Sequence, residues 1–246
     1  MNGLNAVFKR EFAAYFATPL AYIFIAVFVA VSVLFAVHFG QIIELNKADL
    51  QSFFQFHPFL YVVFIPALGM KIWSEDFKTG TYEILFSLPV SNITLIIGKY
   101  LAGLAVIGLT LLFCVPLWVA INILGNVDNG VVAAGFLGSF LMAAAFLAVT
   151  LAISAVSNSQ IVVFVLSCFV CFVFVAMGMP VVLNSITLLF GEGARGFATI
   201  FSIADYFDLF SRGFIPLNGI IFFISFIAFW LGLGLVVILG KRGVLK

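Results

Sequence analysis

Long apolar runs broken by short polar connectors set the rhythm of this chain. The runs over residues 20–40, 100–121, 131–156, 161–183 and 219–240 are each long enough for a helix of about 20 residues to cross a bilayer. A further crossing is predicted over 52–73. Started near Ser52, with Pro66 as a kink, it gains full length if Lys71 snorkels to the interface beside Trp73. Ahead of all these, Leu4, Val7, Phe8, Phe12, Tyr15 and Phe16 share one face of a helix over 3–17, while Lys9, Arg10 and Glu11 lie off that face. Such a helix lies in the membrane interface. Thr18 and Pro19 then read as the N-cap and first residue of a new helix.

The expected fold is therefore all-α and integral to the membrane: a single domain over 1–246 with an interfacial helix and six transmembrane helices. The stretch 184–217, before the last crossing, alternates short apolar pieces with Glu192, Arg195, Asp205, Asp208 and Arg212. Neither piece is long enough to cross, which predicts a pair of short outer helices that re-enter the outer leaflet. In the run 131–156, Ala144, Ala148 and Ala152 form a small-residue stripe suited to close helix contact, either within the chain or between subunits.

Composition agrees with the pattern. The chain is 65% hydrophobic and 9% charged, with 32 Phe, whereas ordinary globular chains are about 45–50% apolar and about 25% charged. No room is left for a soluble catalytic domain. Cys114, Cys168 and Cys171 all fall in apolar runs with no neighbouring ligand residues, and read as polarisable filler. His38 and His57 flank the first outer connector and read as interface residues. The crossings lack mid-span Asp, Glu, Arg or Lys, which disfavours an ion-driven carrier. Neither HExxH nor GxSxG occurs, and Gly98-Lys99-Tyr100 lacks the upstream glycine and the hydroxyl of a phosphate-binding loop. The chain is thus read as no enzyme, and any nucleotide that drives it binds another chain.

Basic residues orient the bundle. Lys9, Arg10, Lys71, Lys78, Lys99, Lys241, Arg242 and Lys246 fall on the side of the termini, against Lys47, Arg195 and Arg212 opposite. The termini and the stretch 74–98 are therefore expected in the cytoplasm, and 41–57, 122–130 and 184–217 outside.

That stretch belongs to a polar island within the apolar pattern, 71–99, KIWSEDFKTGTYEILFSLPVSNITLIIGK. Gly80 should end the helix that carries Glu75 and Asp76, and Thr81 should cap a new short one. Pro89 stops that helix and Ser91 caps the next crossing. Glu83 sits where the helix dipole favours a carboxylate. So short a helix, crowded with apolar side chains at a surface, needs a partner to bury it.

Residues 75–91, EDFKTGTYEILFSLPVS, followed by Gly98-Lys99, closely resemble the loop between the second and third helices of ABC-2 type exporter permeases. Within that family the chain looks most like the gliding-motility and nitrous-oxide-reductase-maturation types. The resemblance implies a multi-pass permease of the cell's inner membrane, paired with a second permease subunit as homodimer or heterodimer. It also implies service by a separate ABC ATPase subunit that holds ATP and magnesium, so that no cofactor resides in this chain. By the same resemblance, Glu75, Asp76, Gly80, Thr81, Glu83, Leu85, Leu88 and Pro89 form the ATPase-coupling element. Glu83 would pair with the ATPase, and Leu85, Phe86 and Leu88 would fill its cleft. Ser157, Asn158, Ser159 and Gln160 form a second, smaller contact. The lipid bilayer and an accessory extracytoplasmic subunit complete the expected partners, and nucleic acid is not among them. The competing readings are a non-transport membrane scaffold and a secondary carrier, neither of which accounts for the short helix between Gly80 and Pro89.

Overall fold

The computed structural model describes residues 3–38, 50–87, 89–125, 127–241 and 243, and every regular element among them is an α-helix. Helix α1 (Gly3–Ala17) ends at Thr18, and Pro19 opens α2 (Pro19–His38). Proline is well placed there because the first turn of a helix has no use for its missing N–H.

Helices α3 (Gln51–Gln55), α4 (His57–Gly69) and α5 (Lys71–Thr79) follow with only Phe56 and Met70 between them, both in helical conformation. The predicted 52–73 crossing is thus built in pieces and continues to Thr79. After α6 (Thr81–Ser87), Ser91 caps α7 (Asn92–Leu112), its hydroxyl accepting from the Thr94 N–H at 3.2 Å. This helix starts well before the predicted 100, so Gly98 and Lys99 are helical. Pro116 lies in the first turn of α8 (Val115–Leu124), which prolongs the same crossing.

Asp128 caps α9 (Asn129–Ser154). The apolar run 161–183 is not one straight helix. Helix α10 (Gln160–Ala176) stops ahead of Pro180, and α11 (Pro180–Phe190) leaves it at 79°. Proline drives Met179 into an extended conformation, which ends α10. Beyond it lie α12 (Glu192–Ile200) and α13 (Ile203–Ser211), so three short helices, not two, precede α14 (Leu217–Lys241).

Among the described residues, four helical stretches, α2, α7 with α8, α9 and α14, are long and apolar enough to cross a membrane, and the bent α10–α11 pair makes a fifth if counted as one span. Helix α9 is the axis of the bundle: 72% of its crossing window is buried, against 17–33% in the other three. The Ala144, Ala148 and Ala152 stripe is spent inside the chain, where all three are buried and the Tyr100 hydroxyl donates to the Ala144 carbonyl at 2.9 Å. His57, expected at an interface, is fully buried instead. It shares a 2.8 Å hydrogen bond with Ser139 of α9, which also bonds Tyr61 at 2.6 Å, and Phe28, Phe53 and Phe54 pack around its ring.

One end of the bundle gathers α1, the α5–α6 hairpin, the start of α7, the α9–α10 connector and the end of α14. Lys241, the last residue of α14, lies 3.7 Å from the centre of the Phe77 ring and donates to the Val156 carbonyl at 3.4 Å. At the opposite end, residues of α3, α9 and α13 line a common small cavity.

Candidate functional site

The α5–α6 hairpin turns at Gly80, whose φ of +74° belongs to the left-handed region. A Cβ there would meet nothing within 4 Å, so the glycine is required by the turn and not by crowding. Behind the turn, Trp73, Phe77, Tyr82 and Phe86 stack in succession, with Trp73 stacked on Phe77 and Tyr82 edge-on to both Phe77 and Phe86. This aromatic layer joins the two short helices.

The hairpin is fastened to the bundle by Lys99, one of the few charged side chains drawn inside. Lys99 is 2% exposed, and its ammonium donates to Asp76 Oδ2 at 2.7 Å and to the Ile72 carbonyl at 2.9 Å, while Glu11 Oε2 lies 3.0 Å away. Three acceptors match the three donors of an ammonium group. The ion also lies 4.9 Å from the centre of the Trp73 ring. Asp76 has a second task, because its Oδ1 accepts from the Thr81 hydroxyl at 2.8 Å across the turn. Arg10 pairs with the other Glu11 oxygen at 2.9 Å. Two cations and two anions thus form a neutral network that ties α1, α5, α6 and α7 together.

The close approach of α1 to α7 makes this network possible. A Cβ on Gly98 would fall 2.6 Å from Val7 Cγ1, so only glycine admits the contact. Val7, Glu11 and Tyr15 therefore face α7, and Glu11, expected off the packed face, lies on it. Burial, with Glu11 adding, raises the Tyr15 hydroxyl well above its ordinary range.

The predicted coupling residues separate by position. Asp76 and Thr81 hold the hairpin from within. Glu75 and Glu83 are exposed, and Glu83 accepts from the Tyr82 hydroxyl at 3.3 Å. Leu85, expected to enter a partner's cleft, is 2% exposed and belongs to the chain's own hydrophobic core. Its neighbour Ile84, which was not singled out from the sequence, presents the apolar surface at 66% exposure. Leu88 lies outside the described residues, and Pro89 is exposed beside it. In the second predicted contact, Ser159 holds the N-cap position of α10, and the Ser157 hydroxyl accepts from its N–H at 3.2 Å. Asn158 is exposed and Gln160 half-buried in the first turn of α10. Lys241 links this connector to the hairpin, so the two predicted contacts share one end of the molecule.

Between α1, the start of α2, α5 and α6 runs an open cleft of about 600 Å³ with Lys99 in its lining. The carboxylates of Glu11 and Asp76 are already engaged by Lys99 and Arg10, which leaves no free acidic pair there to hold a metal.

No curated protein matches the chain. A family model described as ABC-2 family transporter protein matches residues 47–192, more than half of the chain and inclusive of the whole α5–α6 hairpin. The chain belongs to the ABC-2 family of transporters and is a multi-pass membrane permease.

Proposed function

We propose that this chain is the membrane subunit of an ATP-driven exporter, with the α5–α6 hairpin as the part that a separate ATPase subunit grips. ATP and magnesium belong to that partner, and a second permease subunit completes the translocation path. The domain spans the membrane six times: α2, the α3–α5 series, α7–α8, α9, α10 and α14. Helix α1 lies in the cytoplasmic interface of the inner membrane, and α11–α13 form an outer layer that dips into the far leaflet. An accessory extracytoplasmic subunit would meet that outer layer.

The observation that carries this reading is the division of labour within the hairpin. Its base is clamped by Lys99 and Asp76, whereas Glu83 and Ile84 project from α6 with no packing role. A clamped lever with a free tip transmits force, and a loosely attached loop does not. The connector 157–160, linked to the hairpin through Lys241, supplies the smaller contact.

The test is ATP hydrolysis and subunit co-purification in Ile84→Asp and Glu83→Ala, with Glu192→Ala at the opposite end as control. Truncating a buried charged contact in an interface costs about 2–5 kcal/mol, so Glu83→Ala and Ile84→Asp should both release the ATPase subunit while Glu192→Ala retains it. Equal retention in all three would remove the hairpin tip from the interface.

A further inference from the structure

The cleft between α1 and α5 has two free charges at its mouth. The ammonium of Lys99 at its back is saturated by Glu11, Asp76 and the Ile72 carbonyl. Lys71 and Glu75 also line the cleft, one turn apart on α5, and neither forms an ion pair among the described residues. Their order, Lys before Glu at i and i+4, is the less favourable one for mutual pairing, and their Cβ atoms stand about 5–6 Å apart. A cation and an anion so placed form a receptor for a ligand carrying both charges.

The position of the cleft indicates where such a ligand comes from. Leu20, in the first turn of the membrane-crossing α2, lines it together with Ala17 and Ile84. With α2 read as a membrane crossing under the proposed function, the apolar wall begins at the bilayer surface and the charged mouth stands at headgroup depth. We propose that this cleft binds the headgroup of a zwitterionic aminophospholipid from the leaflet it faces, with phosphate on Lys71 and Arg10 and the primary ammonium on Glu75. A carboxylate suits an ammonium that can donate hydrogen bonds, whereas quaternary ammonium groups are recognised by aromatic cages. Among the described residues no aromatic side chain besides Tyr15 lines the cleft, so phosphoethanolamine is selected over phosphocholine. The cleft shares Ile84 with the proposed ATPase contact, but lipid binding is read on the chain without an ATPase subunit, so the two readings fail separately.

Native mass spectrometry of the full-length purified chain, mixed with equal amounts of phosphatidylethanolamine, phosphatidylcholine and phosphatidylglycerol of the same acyl composition, reads the preference directly. The parent should retain phosphatidylethanolamine over phosphatidylcholine by about two- to fivefold, the size of one partly exposed charged contact. Glu75→Gln should abolish that preference while keeping phosphatidylcholine binding. Lys71→Ala should lower retention of every phospholipid, and Lys71→Arg should restore it. Both positions lie at the cleft mouth, and should either Lys71 variant fail to fold, Glu75→Gln alone decides. Equal retention of the three lipids by the parent, a phosphatidylglycerol preference, or a phosphatidylethanolamine preference that survives Glu75→Gln would overturn the assignment.

Discussion

Lys99 is the residue whose loss should be felt most. It is buried beside two carboxylates that are themselves only 14% exposed, so Lys99→Met would leave Asp76 without a counter-ion and Glu11 with Arg10 alone. Breaking a buried pair in this way costs about 3–5 kcal/mol. Thermal unfolding in detergent should show a clear drop for Lys99→Met and a smaller one for Arg10→Ala, whose partner Glu11 keeps Lys99. Equal melting of Lys99→Met and the parent would mean that the network contributes nothing. Gly80 makes a gentler case. With open space around it and φ at +74°, Gly80→Ala should cost about 1–2 kcal/mol, the penalty for a left-handed L-residue, and should loosen the hairpin without disturbing the bundle.

These residues differ in how far the sequence revealed them. The turn at Gly80 and the cap at Ser91 depend on neighbours within a few positions, and both were legible. The Lys99 network depends on α1 lying across α7, and no local signal joins Glu11 to Lys99. Periodicity placed Glu11 off the apolar face, because a helix face that buries a carboxylate against a lysine from elsewhere looks polar in isolation. The one available hint was Gly98 next to Lys99, a small residue where another helix approaches closely.

Among the elements, α6 is the one whose two faces have different fates. Leu85 faces inward and Ile84 outward, so their substitutions to Asp should differ in kind. Leu85→Asp places a carboxylate in the chain's hydrophobic core and should melt the hairpin, detectable as faster proteolysis between residues 71 and 91. Ile84→Asp should leave proteolysis unchanged. Similar digestion patterns for the two would contradict the burial described here. The break between α10 and α11 has a related lesson. Pro180 stood in plain view, but the apolar run continues through it, and hydropathy alone does not register a helix end. The short helices that follow were expected as a pair, and there are three because α10 stops early and α11 opens at Pro180.

For the whole molecule, α1, the α5–α6 hairpin, the start of α7, the α9–α10 connector and the end of α14 at one end bring together six of the eight basic residues counted on that side, the six that lie among the described residues. Cysteine reporters at Lys78→Cys and Asn129→Cys test which end faces the cytoplasm. The first should react with an impermeant maleimide only after cells are opened, and the second in intact cells. The reverse pattern would invert the assembly and remove the hairpin from any cytoplasmic partner. The most direct test of the coupling role places a photocrosslinking residue at position 84, and separately at 85 and 192, in membranes that contain the whole transporter. Crosslinks to the ATPase subunit from position 84, with none from 85 or 192, are the expected result. Silence at 84, or an ATPase adduct from 192, would contradict the assignment of the α5–α6 hairpin as the coupling element.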